Sequence, residues 1–137
     1  VELRSKSYEE TIEYGSDFGK SLKGGEVVLL TGGLGCGKTV FTKGIAQALD
    51  IAENVTSPSF SIMNIYKGKL NLYHFDFYRI EDRSEMDDLL EDYLYTGKGV
   101  TVIEWGDQMK EILDRFISIS FMIRTDHRKI TVERKGF

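Results

Sequence analysis

Gly32-Gly33-Leu34-Gly35-Cys36-Gly37-Lys38-Thr39 fits the spacing G-x-x-x-x-G-K-[ST] of a P-loop. Its neighbours fit as well. Glu26-Val27-Val28-Leu29-Leu30-Thr31 reads as a short buried strand. Val40 to Leu49 reads as a helix with Phe41, Ile45 and Leu49 on one face. Strand, glycine loop and helix together make an anion cradle. Glycines lack the Cβ that would block backbone N–H groups from turning inward. The helix N-terminus adds partial positive charge. In such a cradle Lys38 reaches the β- and γ-phosphates and the Thr39 hydroxyl ligates Mg²⁺. The backbone from Gly33 through Leu34, Gly35, Cys36 and Gly37 to Val40 lines the nucleotide.

The rest of the chain fits around this unit. Its 137 residues, 41% of them hydrophobic, suit a single folded domain over 1–137 rather than a disordered chain. A net charge of −4 argues against autonomous, non-specific binding of nucleic acid, which leans on a basic surface. Cys36 is the only cysteine, which excludes an internal disulfide and agrees with a reducing cytoplasm. No apolar run approaches the length of a membrane span. No signal peptide, repeat or low-complexity linker is visible.

Val1 to Arg4 reads as a short edge strand. Ser7-Tyr8-Glu9-Glu10 predicts a capping box, with Ser7 and Glu10 each bonding the other's backbone N–H. The helix it opens runs to about Leu22, ahead of Gly24-Gly25. Phe60 to Tyr66 and Lys69 to Tyr78 read as strands joined by a tight turn at Lys67-Gly68. Arg83 to Tyr95 reads as an acidic helix burying Met86, Leu89, Leu90 and Tyr93. Val100 to Trp105 is a buried strand and Gln108 to Leu113 a short helix. Phe116 to Ile123 and Lys129 to Lys135 form a hairpin turning over Thr125 to Arg128. The predicted class is α/β: a twisted, predominantly parallel sheet like that of P-loop NTPases, flanked by helices, with antiparallel hairpin additions.

A phosphate loop needs a carboxylate to hold metal and orient water. Two apolar strands end in one. Val100 to Ile103 leads into Glu104, and Asp76 stands between Phe75 and Phe77. Alternation puts Phe75 and Phe77 on one face and His74, Asp76 and Tyr78 on the other. A charge among bulky apolar groups is costly without a partner, and magnesium or a basic side chain would offset that cost. Each carboxylate also has a plainer reading, an end-of-strand residue facing water. Ser57-Pro58-Ser59-Phe60 follows the loop either as a nucleotide-sensing switch or as a simple connection. Cys36 is either a thiol activated by the helix N-terminus or a small residue tolerated in the loop. His74 is either a nucleotide or metal contact or a hydrogen-bonded structural residue. Trp105 packs either beside the nucleotide or at the sheet edge. The basic residues Arg124, Arg128, Lys129, Arg134 and Lys135 either touch a nucleic acid within an assembly or keep the hairpin soluble.

Taken in order, the phosphate loop, Thr56-Ser57-Pro58-Ser59-Phe60, His74-Phe75-Asp76-Phe77-Tyr78-Arg79 and Ile103-Glu104-Trp105 resemble the TsaE (YjeE) family. The likeness runs from about Ser7 to Trp105. It implies a small, partner-dependent ATPase of bacterial tRNA modification. Such proteins act with TsaB and TsaD, which transfer a threonylcarbamoyl group to the adenosine beside the anticodon. ATP and Mg²⁺ are the implied cofactors, and tRNA is met only indirectly through the assembly. The free chain is expected to be a cytoplasmic monomer with no membrane partner. By this resemblance Lys38 binds phosphate and Thr39 and Asp76 hold Mg²⁺. Glu104 activates water or makes a second metal contact, so Lys38, Asp76 and Glu104 are the expected catalytic set. Ser57 to Phe60 is the switch, with Ser59 at the nucleotide where threonine is common. The chain departs from the pattern at Gly33, where an acidic residue is frequent, and at Cys36, where alanine is frequent. The segment 87–92 also lacks an expected following glycine.

Two other functions share the loop. A small-molecule or nucleoside kinase usually adds an arginine-rich lid, but the segment from Glu81 to Tyr95 is acidic, with Arg83 its one arginine. A regulatory GTPase reads guanine through Asn-Lys-x-Asp, which this sequence does not contain.

Overall fold

Val27, Val28, Leu29 and Leu30 have no exposed surface at all. A run of four such residues demands cover on both faces, and the sheet is built around it. The computed structural model describes every residue except Ser59. The elements are β1 (Glu2–Ser5), α1 (Tyr8–Lys20), β2 (Val27–Thr31), α2 (Lys38–Ala48), β3 (Met63–Tyr66), β4 (Asn71–Asp76), α3 (Arg83–Leu90), β5 (Gly99–Glu104), β6 (Phe116–Ile123) and β7 (Arg128–Lys135). A 3-10 turn spans Asp107–Glu111.

The seven strands form one sheet in the order β1-β7-β6-β2-β5-β4-β3. Its centre is parallel: β2 pairs with β5 and β6, and β5 with β4. Both margins are antiparallel, β3 on β4 at one side and β7 and β1 beyond β6 at the other. Three pairings of each kind make the sheet mixed, with the parallel character confined to the centre. The expected terminal hairpin is therefore also structural core, since β6 lies directly against β2.

Alternation along β2 divides the core. Val28 and Leu30 pack with Phe41, Ile45 and Leu49 of the α2 region on one face. Val27 and Leu29 pack with Phe75, Phe77, Met86, Leu90 and Met109 on the other. Each such side chain contributes about 1.5–3 kcal/mol when fully buried. Above the first face α1 crosses α2 so closely that backbones touch. A Cβ on Gly44 would overlap the Ile12 carbonyl and lie 2.7 Å from the Ser16 amide nitrogen. A larger residue there would push apart the two helices that fix the start of α2.

Several boundaries differ from the sequence expectation for local reasons. The Ser7 hydroxyl accepts from the Glu10 N–H at 3.1 Å, as a cap should. The Glu10 carboxylate, however, accepts from the Lys6 N–H at 2.8 Å rather than from Ser7. The first helix ends at Lys20, capped by Ser21. The β3–β4 connection is wider than a two-residue turn, because the Lys69 N–H donates to the Leu49 carbonyl at 2.8 Å instead of across the hairpin. The acidic helix stops at Leu90. Beyond it the Tyr93 carbonyl accepts from the Thr101 hydroxyl and Tyr95 turns left-handed at φ 58°. Met86 and Leu90 are fully buried, while Leu89 and Tyr93 pack at the margin of that core.

Candidate functional site at the carboxyl edge of the sheet

Parallel strands put their carboxyl ends on one edge, where α/β folds gather ligands. Here that edge holds Thr31 with the glycine loop behind it, Glu104 and Asp76. The register makes the meeting specific: Leu30 is level with Glu104, and Glu104 with Asp76. Residues far apart in sequence thus face one cleft of about 340 Å³, lined by Gly35, Lys38, Thr39, Asp76, Glu104 and Trp105 among others.

The loop is shaped by its glycines. Gly37 caps α2 at φ 109°, a left-handed conformation that L side chains rarely adopt. Its carbonyl starts the helix by accepting from the Phe41 N–H at 2.9 Å. The helix begins at Lys38, earlier than Val40, so Lys38 and Thr39 sit in its first turn. No acidic residue occupies that turn and no side chain caps it, so no side chain of the turn itself offsets its partial positive charge.

Lys38 is only 5% exposed. Its ammonium donates to the Gly32 carbonyl at 2.9 Å and lies 3.9 Å from the centre of the Trp105 ring. Trp105 holds this place by a left-handed backbone at φ 60°, and its ring packs on Tyr78 at 4.8 Å. Trp105 thus packs beside the loop lysine and lines the cleft.

Asp76 and Glu104 are both buried. Asp76 Oδ1 accepts from the Tyr78 N–H at 2.9 Å, and Oδ2 accepts from the Ser57 hydroxyl at 3.3 Å. Ser57 therefore reaches the site through Asp76, a contact that its sequence position did not specify. Ser59, the expected switch contact, lies outside the described residues. Glu104 Oε2 lies 2.7 Å from His74 Nε2, so His74 is the hydrogen-bonded residue of its plainer reading. Neither carboxylate is an end-of-strand residue facing water.

Cys36 is 1% exposed. Burial pushes its thiol above the ordinary range, against the pull of nearby Lys38. Of its two readings, the small residue tolerated in the loop fits and the activated thiol does not, because desolvation outweighs the pull of Lys38. Leu34, Cys36, Gly37 and Val40 also line the cleft. Gly33 is exposed with open space around it, so the acidic residue that the resemblance makes frequent there would meet no neighbour.

A second cleft, of about 390 Å³, meets the other side of the loop at Gly35, Gly37 and Val40. Its remaining wall comes from Ser5 to Tyr8 and Thr11, around the start of α1, and from the turn Thr125 to Arg128. In that turn His127 Nδ1 lies 2.7 Å from Asp126 Oδ1 and holds the Asp126 carboxyl below its ordinary range. Nothing in the sequence marked this wall, because its parts come from opposite ends of the chain.

The family model for threonylcarbamoyl adenosine biosynthesis protein TsaE matches residues 5–135. The chain belongs to the TsaE family. It is 40% identical over 130 residues to the tRNA threonylcarbamoyladenosine biosynthesis protein TsaE of Treponema pallidum, covering 93% of this chain and 96% of that protein. It is 44% identical over 117 residues to the TsaE protein of Bacillus subtilis, covering 83% of this chain and 73% of that one. The crystal structure of YdiB from Bacillus subtilis superposes with a TM-score of 0.83 at 34% identity, over 99% of this chain and 86% of that chain. This TsaE-family chain is thus a protein of tRNA threonylcarbamoyladenosine biosynthesis with a mixed α/β sheet. Among its described residues no helix is long and apolar enough to cross a membrane.

Proposed function

We propose that this chain binds and slowly hydrolyses ATP with Mg²⁺, and that it acts as a nucleotide-dependent switch with TsaB and TsaD. The observation that carries the reading is the facing of two unlike surfaces across one cleft. On one side are the loop amides, the start of α2 and Lys38. On the other are the carboxylates of Asp76 and Glu104. The second cleft continues from the same loop and offers room for a nucleoside beside the phosphates.

The donor set fits magnesium. That ion takes one or two carboxylates together with hydroxyl, phosphate and water oxygens, rather than a cage of protein ligands. Thr39 and Asp76 would hold it, with Glu104 near. No group of three or more His, Cys, Asp or Glu converges among the described residues, and this metal does not require one. When bound, magnesium supplies charge neutralisation at the β- and γ-phosphates. Lys38 supplies a second positive charge, exchanging the Gly32 carbonyl for phosphate oxygen. Glu104 accepts a proton from the attacking water or orients it. Ser57, bonded to Asp76, links the segment after Thr56 to the metal side of the cleft and so gives nucleotide state a route to the surface.

The placing of α3 favours the ATPase reading over a kinase. Its Met86 and Leu90 are buried against the face of the sheet that carries Phe75 and Phe77, and its residues do not line the cleft. It therefore lacks the character of a basic lid over the phosphates.

The test is co-purification with TsaB and TsaD, with and without a non-hydrolysable ATP analogue, paired with ATP turnover. Nucleotide-dependent co-elution and a turnover changed by the pair are expected. Turnover at tens per second that ignores TsaB and TsaD, or phosphate transfer to a nucleoside, would contradict the proposal.

A further inference from the structure

One buried polar side chain beside the cleft has a place but no role so far. His74 has no exposed surface. It is level with Val102 of β5 and follows Leu72, which belongs to the apolar core under α2. An aliphatic residue would suit the packing there, and a buried imidazole is costly unless its nitrogens are used. Only one is used. Nε2 lies 2.7 Å from Glu104 Oε2, whereas Nδ1 has no hydrogen-bond partner among the described residues.

A carboxylate can only accept, so the proton of this bond resides on Nε2. A proton on Nδ1 would be a buried donor with no acceptor. Of the two neutral tautomers, the bond therefore selects Nε2–H. Glu104 has several rotatable bonds, and this contact ties one of its two oxygens. The other remains for the cleft that Glu104 lines.

The geometry points to His74 as a positioning residue: it donates from Nε2 to fix Glu104 for hydrolysis, and it contributes little to nucleotide binding. This rests on the ATPase reading, because it assigns Glu104 a part in hydrolysis.

Two measurements test it. The first is ¹⁵N-histidine NMR of the intact protein. With only two histidines, His74 is assigned by comparison with His127→Gln. A proton on Nε2 is expected, and a ring whose only proton rests on Nδ1 would overturn the proposal whatever the protein does with ATP. The second is ATP affinity by calorimetry together with single-turnover hydrolysis. His74→Leu should keep affinity within about threefold and slow hydrolysis about tenfold to a hundredfold, the scale of a misplaced reacting group. His74→Gln, whose amide can still donate, should recover part of the rate. In a Glu104→Ala background either His74 variant should add less than a twofold loss, because residues acting as a unit are not additive. If His74→Leu does not fold, His74→Gln with and without Glu104→Ala carries the same test. A wild-type rate in His74→Leu, or a full further loss in the Glu104→Ala background, would overturn the positioning role. Absence of hydrolysis in the unaltered protein would instead overturn the ATPase reading and leave the tautomer result standing.

Discussion

The two walls of the cleft are built in opposite ways. The glycine-loop wall is continuous in sequence and made chiefly of backbone: Gly37 turned left-handed, the amides after it and the first turn of α2. The acidic wall is assembled from two strands and a loop: Asp76 ends β4, Glu104 ends β5, and Ser57 and His74 hold them. The first wall offers positive charge that needs only an anion. The second offers two buried carboxylates, each tied to a neighbour. Binding energy is expected to come mainly from the first wall and reaction rate from the second.

Substitutions on each wall can break that contrast. Glu104→Ala is expected to produce the largest effect, a fall in ATP hydrolysis of about a hundredfold or more, with affinity within about threefold. Single-turnover kinetics beside calorimetry measures both. Equal losses of binding and rate would make Glu104 a metal or structural residue and erase the division between the walls. Lys38→Ala should weaken ATP binding by about tenfold to a hundredfold, the worth of a hydrogen bond from a charged group. Displacement of a fluorescent nucleotide gives that number, and an unchanged affinity would move the phosphates away from the loop. Cys36→Ala should do least. Its thiol is buried and pushed up rather than activated, so affinity should stay within about twofold. Alkylation of the native protein at neutral pH should be slow compared with the unfolded chain, and fast native alkylation would contradict this.

The same contrast explains what could be read from the sequence. The loop wall was legible because its chemistry is local: glycine spacing, a lysine and a hydroxyl in eight consecutive residues. The central strands were legible too, since runs such as Val27 to Leu30 leave few other readings. Asp76 and Glu104 stood out as charges ending apolar strands. That they are level with one another depends on β4 and β5 pairing in parallel, which no local pattern specifies. The contacts of Ser57 with Asp76 and His74 with Glu104 follow from that register. Trp105 under Lys38 depends on a left-handed backbone at a residue that rarely adopts one. The second cleft joins the start of α1 to the β6–β7 turn, so neither sequence end announces it.

The central claim is that the triphosphate and its metal lie between these walls. A crystal structure of the protein with Mg²⁺ and a non-hydrolysable ATP analogue tests it most directly. The account predicts phosphate oxygens on the amides around Gly37 and on Lys38, and magnesium about 2.0–2.1 Å from the Thr39 hydroxyl oxygen on the side facing Asp76. Nucleotide bound elsewhere, or a metal with no contact to Thr39 or Asp76 even through water, would contradict it.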